Sequence, residues 1–151
     1  EAYRFILPGY NLRPGEVHGA LGLTQLKKVK NFIKIRRQNA AHFAGLFKED
    51  PRFIIQKECG ESSWFSFTMI VRPELSYGRE RALPFLKKAG IDYRIITGGN
   101  FLRHDAVKYF DYVDTGSRNA DLAHDRGWFV GNFPFDIRKK IDLLHRVLKK
   151  V

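Results

Sequence analysis

The apolar residues of this chain change period along its length, and that change limits the fold more than any other feature. Leu26, Val29, Ile33, Ala40, Phe43 and Phe47 recur at spacings of three, four or seven, which lays an apolar stripe along a helix. Ile137, Ile141, Leu144, Leu148 and Val151 repeat the pattern at the far end. Between them Trp64 to Val71 alternates: Phe65, Phe67, Met69 and Val71 fall on one face, and Trp64, Ser66, Thr68 and Ile70 on the other. Helices and sheet must therefore share one core.

Local signals fill in the rest. Residues 1–13 read as an irregular lead-in containing Pro8-Gly9-Tyr10-Asn11, and residues 14–151 as the folded domain. Pro14 suits a first helical position and Glu16 the first turn, so a helix is predicted to about Leu26. Its Gly19, Ala20 and Gly22 predict close approach by another backbone, since each exposed Gly would cost about 1 kcal/mol of helix propensity. A long helix follows to about Phe47, stopping before Asp50-Pro51, then a short strand at Phe53-Ile54-Ile55. Gly78 to Ala89 reads as a helix closed by Gly90, with Pro84 near its first turn or in a kink, and Ile91 to Ile96 as a strand. Ser117 is an N-cap candidate for a helix ending before Gly127, Trp128 to Val130 a strand, and Asp136 a cap for the last helix. The order ααββαβαβα predicts an α+β fold in which helices cover a small sheet.

Charge narrows the partners. Lys+Arg 27 against Asp+Glu 16 leaves a formal charge of +11. Two segments hold 13 of the 27 basic residues, Lys27, Lys28, Lys30, Lys34, Arg36, Arg37 and Lys48 in one and Arg138, Lys139, Lys140, Arg146, Lys149 and Lys150 in the other. Both coincide with the apolar stripes, so they read as solvated faces of amphipathic helices, Arg36 excepted, which occupies a stripe position. No helix-turn-helix, zinc-finger or RNP-type motif accompanies them, so no nucleic-acid partner is expected, and a basic nucleic-acid-binding module stands only as the alternative from another class. A smaller polyanion such as a nucleoside diphosphate fits the charge as well. One cysteine, Cys59, excludes an intrachain disulfide framework and multi-cysteine metal sites and fits a cytoplasmic setting. No apolar run reaches the roughly 18 residues of a membrane span. Glu1-Ala2-Tyr3-Arg4-Phe5 has neither an initiator Met nor a signal-peptide pattern, so a longer parent chain is expected.

Two loops could carry chemistry. In Gly98-Gly99-Asn100-Phe101-Leu102-Arg103-His104-Asp105 a glycine-permissive turn gathers an amide, a guanidinium, an imidazole and a carboxylate; the same residues also make an ordinary polar surface turn. Gly9-Tyr10-Asn11-Leu12-Arg13 places an aromatic ring, an amide and an Arg ahead of a helix N-terminus, where an anion can be held. His18, His42, His124 and His145 lie on predicted helices without metal-motif partners, so no metal site is expected. There is no phosphate-binding G-x-x-x-x-G-K-[ST] or G-x-G-x-x-G and no nucleophile motif.

Gly9-Tyr10-Asn11-Leu12-Arg13, then Ala20-Leu21-Gly22-Leu23-Thr24-Gln25-Leu26 and Arg36-Arg37, resemble the signature that follows the cofactor-binding domain in the DegT-type (DegT/DnrJ/EryC/StrS) nucleotide-sugar aminotransferases and dehydratases. The likeness continues through Ser63-Trp64-Phe65-Ser66-Phe67, Gly90-Ile91-Asp92-Tyr93-Arg94 and Gly98-Gly99-Asn100-Phe101-Leu102-Arg103. Tyr93 to Arg103 is most similar to the 4-keto-6-deoxysugar 3-dehydratase branch, although His104 stands where that branch leads one to expect Gln.

The resemblance implies a fold-type I pyridoxal-phosphate enzyme of deoxysugar or lipopolysaccharide synthesis, of which this chain is the small C-terminal domain. A large cofactor-binding domain would precede Glu1, so the fragment alone is expected to be inactive. The lysine of the aminotransferases, or the histidine that replaces it as base in the dehydratases, would lie in that domain, and no catalytic residue is expected here. Asn11, with Tyr10 beside it, matches the amide that reaches the cofactor phosphate of a neighbouring subunit, which implies a homodimer. Arg13, Arg94, Asn100 and Arg103 match positions on the side of the nucleotide-diphosphate sugar. In the dehydratase reading the cofactor, in its pyridoxamine form, serves as electron sink while a proton is removed and the 3-hydroxyl leaves. The alternative is an aminotransferase of the same family, making a 4-amino sugar.

Overall fold

The computed structural model describes residues 4–9 and 15–151. Helix α1 (Glu16–Leu26) is followed after Lys27-Lys28 by α2 (Val29–Phe47), then strands β1 (Phe53–Ile55) and β2 (Ser66–Val71). Helix α3 (Arg79–Lys88), strand β3 (Arg94–Ile95), two short 3-10 turns (Phe101–Arg103 and Asp105–Tyr109), α4 (Arg118–Arg126), β4 (Gly127–Gly131) and α5 (Arg138–Leu148) complete the order. The succession of helices and strands is the expected one, and so is the α+β class.

All pairings in the four-stranded sheet, ordered β1-β2-β4-β3, are antiparallel. The register sets Phe53 opposite Val71, Met69 opposite Trp128 and Phe67 opposite Val130, which collects the buried side chains on one face. There they meet Phe43 and Phe47 of α2, Leu86 of α3, and Ile141, Leu144 and Leu148 of α5. Phe43 stacks on Phe67 at 4.5 Å and Phe53 stands edge-on to Trp128 at 5.6 Å. Each fully buried side chain of this size contributes about 1.5–3 kcal/mol, so this face is where the stability lies. Gly90, at φ 67°, ends α3 with the paired bonds Gly90 N–H to Lys87 O and Ile91 N–H to Leu86 O, as its place in the sequence predicts.

Several expectations change. The alternation through Trp64 to Val71 holds only from Ser66. Trp64 has φ 51°, a conformation rare for a bulky residue, and this one left-handed step turns its indole inward and leaves Phe65 72% exposed. The strand expected at Ile91–Ile96 is reduced to Arg94–Ile95. Pro84 is the sixth residue of α3, beyond the first turn. Pro14 lies outside the described residues, and the described helix begins at Glu16 with Gly15 as N-cap. Asp136 sits one residue before the N-cap Ile137, yet its carboxylate does accept the Arg138 N–H, at 3.0 Å.

The stripe on α2 is buried only in its second half: Val29 and Ile33, like Leu26 before them, are exposed. Helix α1 buries nothing, and nothing lies within 4 Å of where a Cβ on Gly19 or Gly22 would stand. Among the described residues, none supplies the backbone approach expected at those glycines. Arg37 leaves the solvated face: it is half-buried, and its guanidinium donates to Glu58 and to the Ser62 carbonyl, while Arg36 is half-buried in keeping with its stripe position. The remaining lysines and arginines of the two basic segments are exposed as expected.

One polar network had no signature in the sequence. Asn39 and Asn132 are buried; Asn39 Nδ2 donates to Asn132 Oδ1 and to the carbonyls of Phe133 and Phe135, while its Oδ1 accepts the Ile137 N–H. Asn132 Nδ2 donates to the carbonyls of Arg36 and Trp64, which fixes the left-handed step at Trp64 to α2.

Candidate functional site

Beyond β3 the chain turns through Gly98 and Gly99, both at positive φ (73° and 51°). Gly99 is required twice over, because a Cβ there would lie 2.5 Å from His124 Nδ1 as well as strain the backbone. The tight approach lets His124 Nδ1 accept the Asn100 N–H at 3.2 Å. Burial, and after it the Arg103 charge, lowers the His124 pKa below the ordinary histidine value, and the neutral ring is the form able to accept.

Asn100, only 4% exposed, is bonded in several directions. Its Nδ2 donates to Ser117 Oγ and Asp121 Oδ1, both at 2.8 Å, and its Oδ1 accepts the Leu102 N–H at 3.0 Å. Ser117 therefore stands at the N-cap of α4 without capping it, since its hydroxyl faces Asn100. Arg103 donates to Asp125 at 2.7 Å and lies 3.7 Å from Asp121. Arg79 of α3 ties down the end of α4, donating to the carbonyls of His124 and Gly127.

The lead-in and the loop, two separate features in the sequence, meet. His104 Nε2 lies 2.6 Å from the Gly98 carbonyl, and His104 Nδ1 accepts the Phe5 N–H at 3.3 Å. The Phe5 carbonyl accepts the Ala106 N–H, and Arg4 pairs with Asp105.

Of the residues expected to bind substrate, Asn100 and Arg103 come together around Asp121, whereas Arg94 lies exposed on β3 opposite Phe129, with an interaction of its own. Tyr10, Asn11 and Arg13 lie outside the described residues. Sequence reasoning missed Asp121, His124 and Asp125, whose i, i+3, i+4 spacing on a predicted helix marks one face and could have found them. Chemically, the cluster is a backbone turn held by neutral imidazole and amide groups, with a half-exposed guanidinium that has further N–H donors to offer an anion. Among the described residues no group of His, Cys, Asp or Glu is arranged to hold a metal ion, and no helix is long and apolar enough to cross a membrane.

Residues 1–129 match the model of the DegT/DnrJ/EryC1/StrS aminotransferase family. The chain is 45% identical over 151 residues to the GDP-4-keto-6-deoxy-D-mannose 3-dehydratase of Escherichia coli O55:H7, covering 99% of this chain and 39% of that protein. A solved E. coli enzyme of that name with bound hydrated PLP superimposes with a TM-score of 0.86 at 44% identity, over 98% of this chain and 39% of the other. A variant of that enzyme with bound GDP-perosamine gives 0.85 at 45% identity, with the same coverage. The chain thus spans about two fifths of the length of the relatives it matches.

Proposed function

The chain belongs to the DegT/DnrJ/EryC1/StrS aminotransferase family, and on that footing we propose that it is the small domain of a pyridoxal-phosphate-dependent NDP-4-keto-6-deoxyhexose 3-dehydratase. The observation that carries this reading is the 45% identity to a dehydratase along the whole chain. The matched length takes in the lead-in and the Gly98–Asp105 loop, two places where this chain has groups for an anion.

Bound pyridoxal phosphate, in its amine form, would supply the electron sink for the elimination. The donor set of this chain fits a supporting part. Asn11 and Tyr10 offer an amide and a phenol, suited to a phosphate through neutral hydrogen bonds. Arg13, Arg94 and Arg103 offer guanidinium forks suited to the diphosphate of a nucleotide sugar. Asn100, whose amide is bonded within the chain, acts by holding the loop that carries Arg103. The proton-moving base belongs to the large domain. Residues 1–13 act as a lead-in that completes a site shared across a homodimer, and the enzyme works in the cytoplasm in deoxysugar or lipopolysaccharide synthesis.

The test is product analysis of the complete enzyme, supplied with pyridoxal phosphate, glutamate as amino donor and GDP-4-keto-6-deoxymannose. Mass spectrometry is expected to show a sugar that has lost one water and its 3-hydroxyl. A 4-amino sugar with the 3-hydroxyl intact would assign the transaminase reaction instead, as would a lysine at the aligned cofactor position of the full-length protein.

A further inference from the structure

His104 joins two stretches of chain 99 residues apart, from Phe5 to itself, and its two ring nitrogens do different work. Nδ1 faces an N–H, that of Phe5, and so must carry a lone pair; Nε2 faces the Gly98 carbonyl and so must carry the hydrogen. The partners therefore define one protonation state, neutral with the proton on Nε2. Three further contacts close around the same point. The Phe5 ring stands edge-on to the imidazole at 5.0 Å, the Phe5 carbonyl accepts the Ala106 N–H at 3.0 Å, and Arg4 pairs with Asp105.

We infer that His104 is a positioning residue, a clasp that fastens Phe5 of the lead-in to Gly98 of the loop and so holds the lead-in against the loop that carries Arg103. That the clasped segment bears on cofactor and substrate rests on the function proposed above; the clasp itself does not. The charged groups around the ring are Arg103 and Asp105 on its own loop, Arg4 on the lead-in, and His124 and Asp125 on α4. Arg4 neutralises Asp105 and Arg103 is held by Asp125, so each neighbouring charge has its own counter-ion.

The experiment is amide hydrogen exchange of the segment containing Phe5, followed in the complete protein at one fixed pH. His104→Ala is expected to raise the exchange of Phe5 about tenfold, the size of one lost hydrogen bond. His104→Gln, which offers both an acceptor and a donor, is expected to keep protection near that of the wild type. If the Ala variant does not fold, the comparison of Gln with wild type still decides. Unchanged Phe5 exchange in the Ala variant, or protection lost in the Gln variant, would overturn the clasp. A clasp confirmed with no dehydratase product would overturn only the proposed function, because exchange is read without turnover.

Discussion

Gly99 and Gly60 separate two costs that glycine avoids. Both have positive φ, 51° and 74°, but a Cβ on Gly60 meets open space whereas one on Gly99 meets the His124 ring. Gly60→Ala is expected to cost about 1–2 kcal/mol, for the backbone conformation alone. Gly99→Ala is expected to lose a further 1–3 kcal/mol or so, for the forced shift of the imidazole, and urea unfolding of the two variants measures the difference. Asn39 gives a second contrast at this scale. Asn39→Ala leaves the Ile137 N–H without its acceptor inside the fold, at about 1–3 kcal/mol. Asn39→Asp keeps the shape but turns an oxygen toward Asn132 Oδ1 and two carbonyls, so it is expected to lose more stability than Ala. An aspartate variant as stable as the wild type would contradict that network. The glycine turn was legible beforehand but the Asn39 network was not, since an Asn in a helix pattern gives no sign of which distant carbonyls it will meet.

Among the elements, periodicity showed which segments form helices and strands, but not how far each is covered. Helix α5 and the second half of α2 are buried along their stripes, as the pattern demands. The same pattern in Leu26, Val29 and Ile33 faces outward, continuing the exposed Leu21 and Leu23 of α1. An 11-residue helix that buries none of its residues is marginal in water, so α1 needs a cover to be stable. The 151-residue chain on its own is therefore expected to self-associate in sedimentation velocity. Leu23→Lys with Leu26→Lys is expected to weaken that association while shifting unfolding of the core by no more than about 0.5 kcal/mol. A chain that stays monomeric at high concentration would count against α1 as an association surface. Strand phase was misread at Trp64 and Phe65, because a single left-handed residue reverses the alternation and side-chain pattern cannot register a dihedral angle.

For the molecule as a whole, the accessible surface of 11071 Å² stands well above the roughly 7,900 Å² of a compact monomer of this mass, as the uncovered helix and exposed aromatic residues require. Acid acts on the whole fold as well. Burial lowers the pKa of both His124 and His145, so below the ordinary histidine value the unfolded chain binds more protons than the folded one. Their contribution is complete above about pH 6.5 and is lost as the pH falls toward their folded values. At Asp50, burial pushes the pKa up, but the Arg52 hydrogen bonds outweigh it and leave the carboxyl below its ordinary value, which adds a further loss in stronger acid. Thermal melts from about pH 8 to about pH 5 are expected to show a falling Tm, flattened in part by His145→Gln. The sequence by itself determined the order of elements, the α+β class and the glycine turn at Gly98-Gly99, because period, caps and glycine placement act within a few residues of chain. Only the tertiary structure decided that Phe5 of the lead-in meets the loop at His104, that Asn100 is bonded inward to α4, and which nitrogen of His104 faces a donor. Those outcomes depend on contacts between residues up to about a hundred positions apart, which local pattern does not encode.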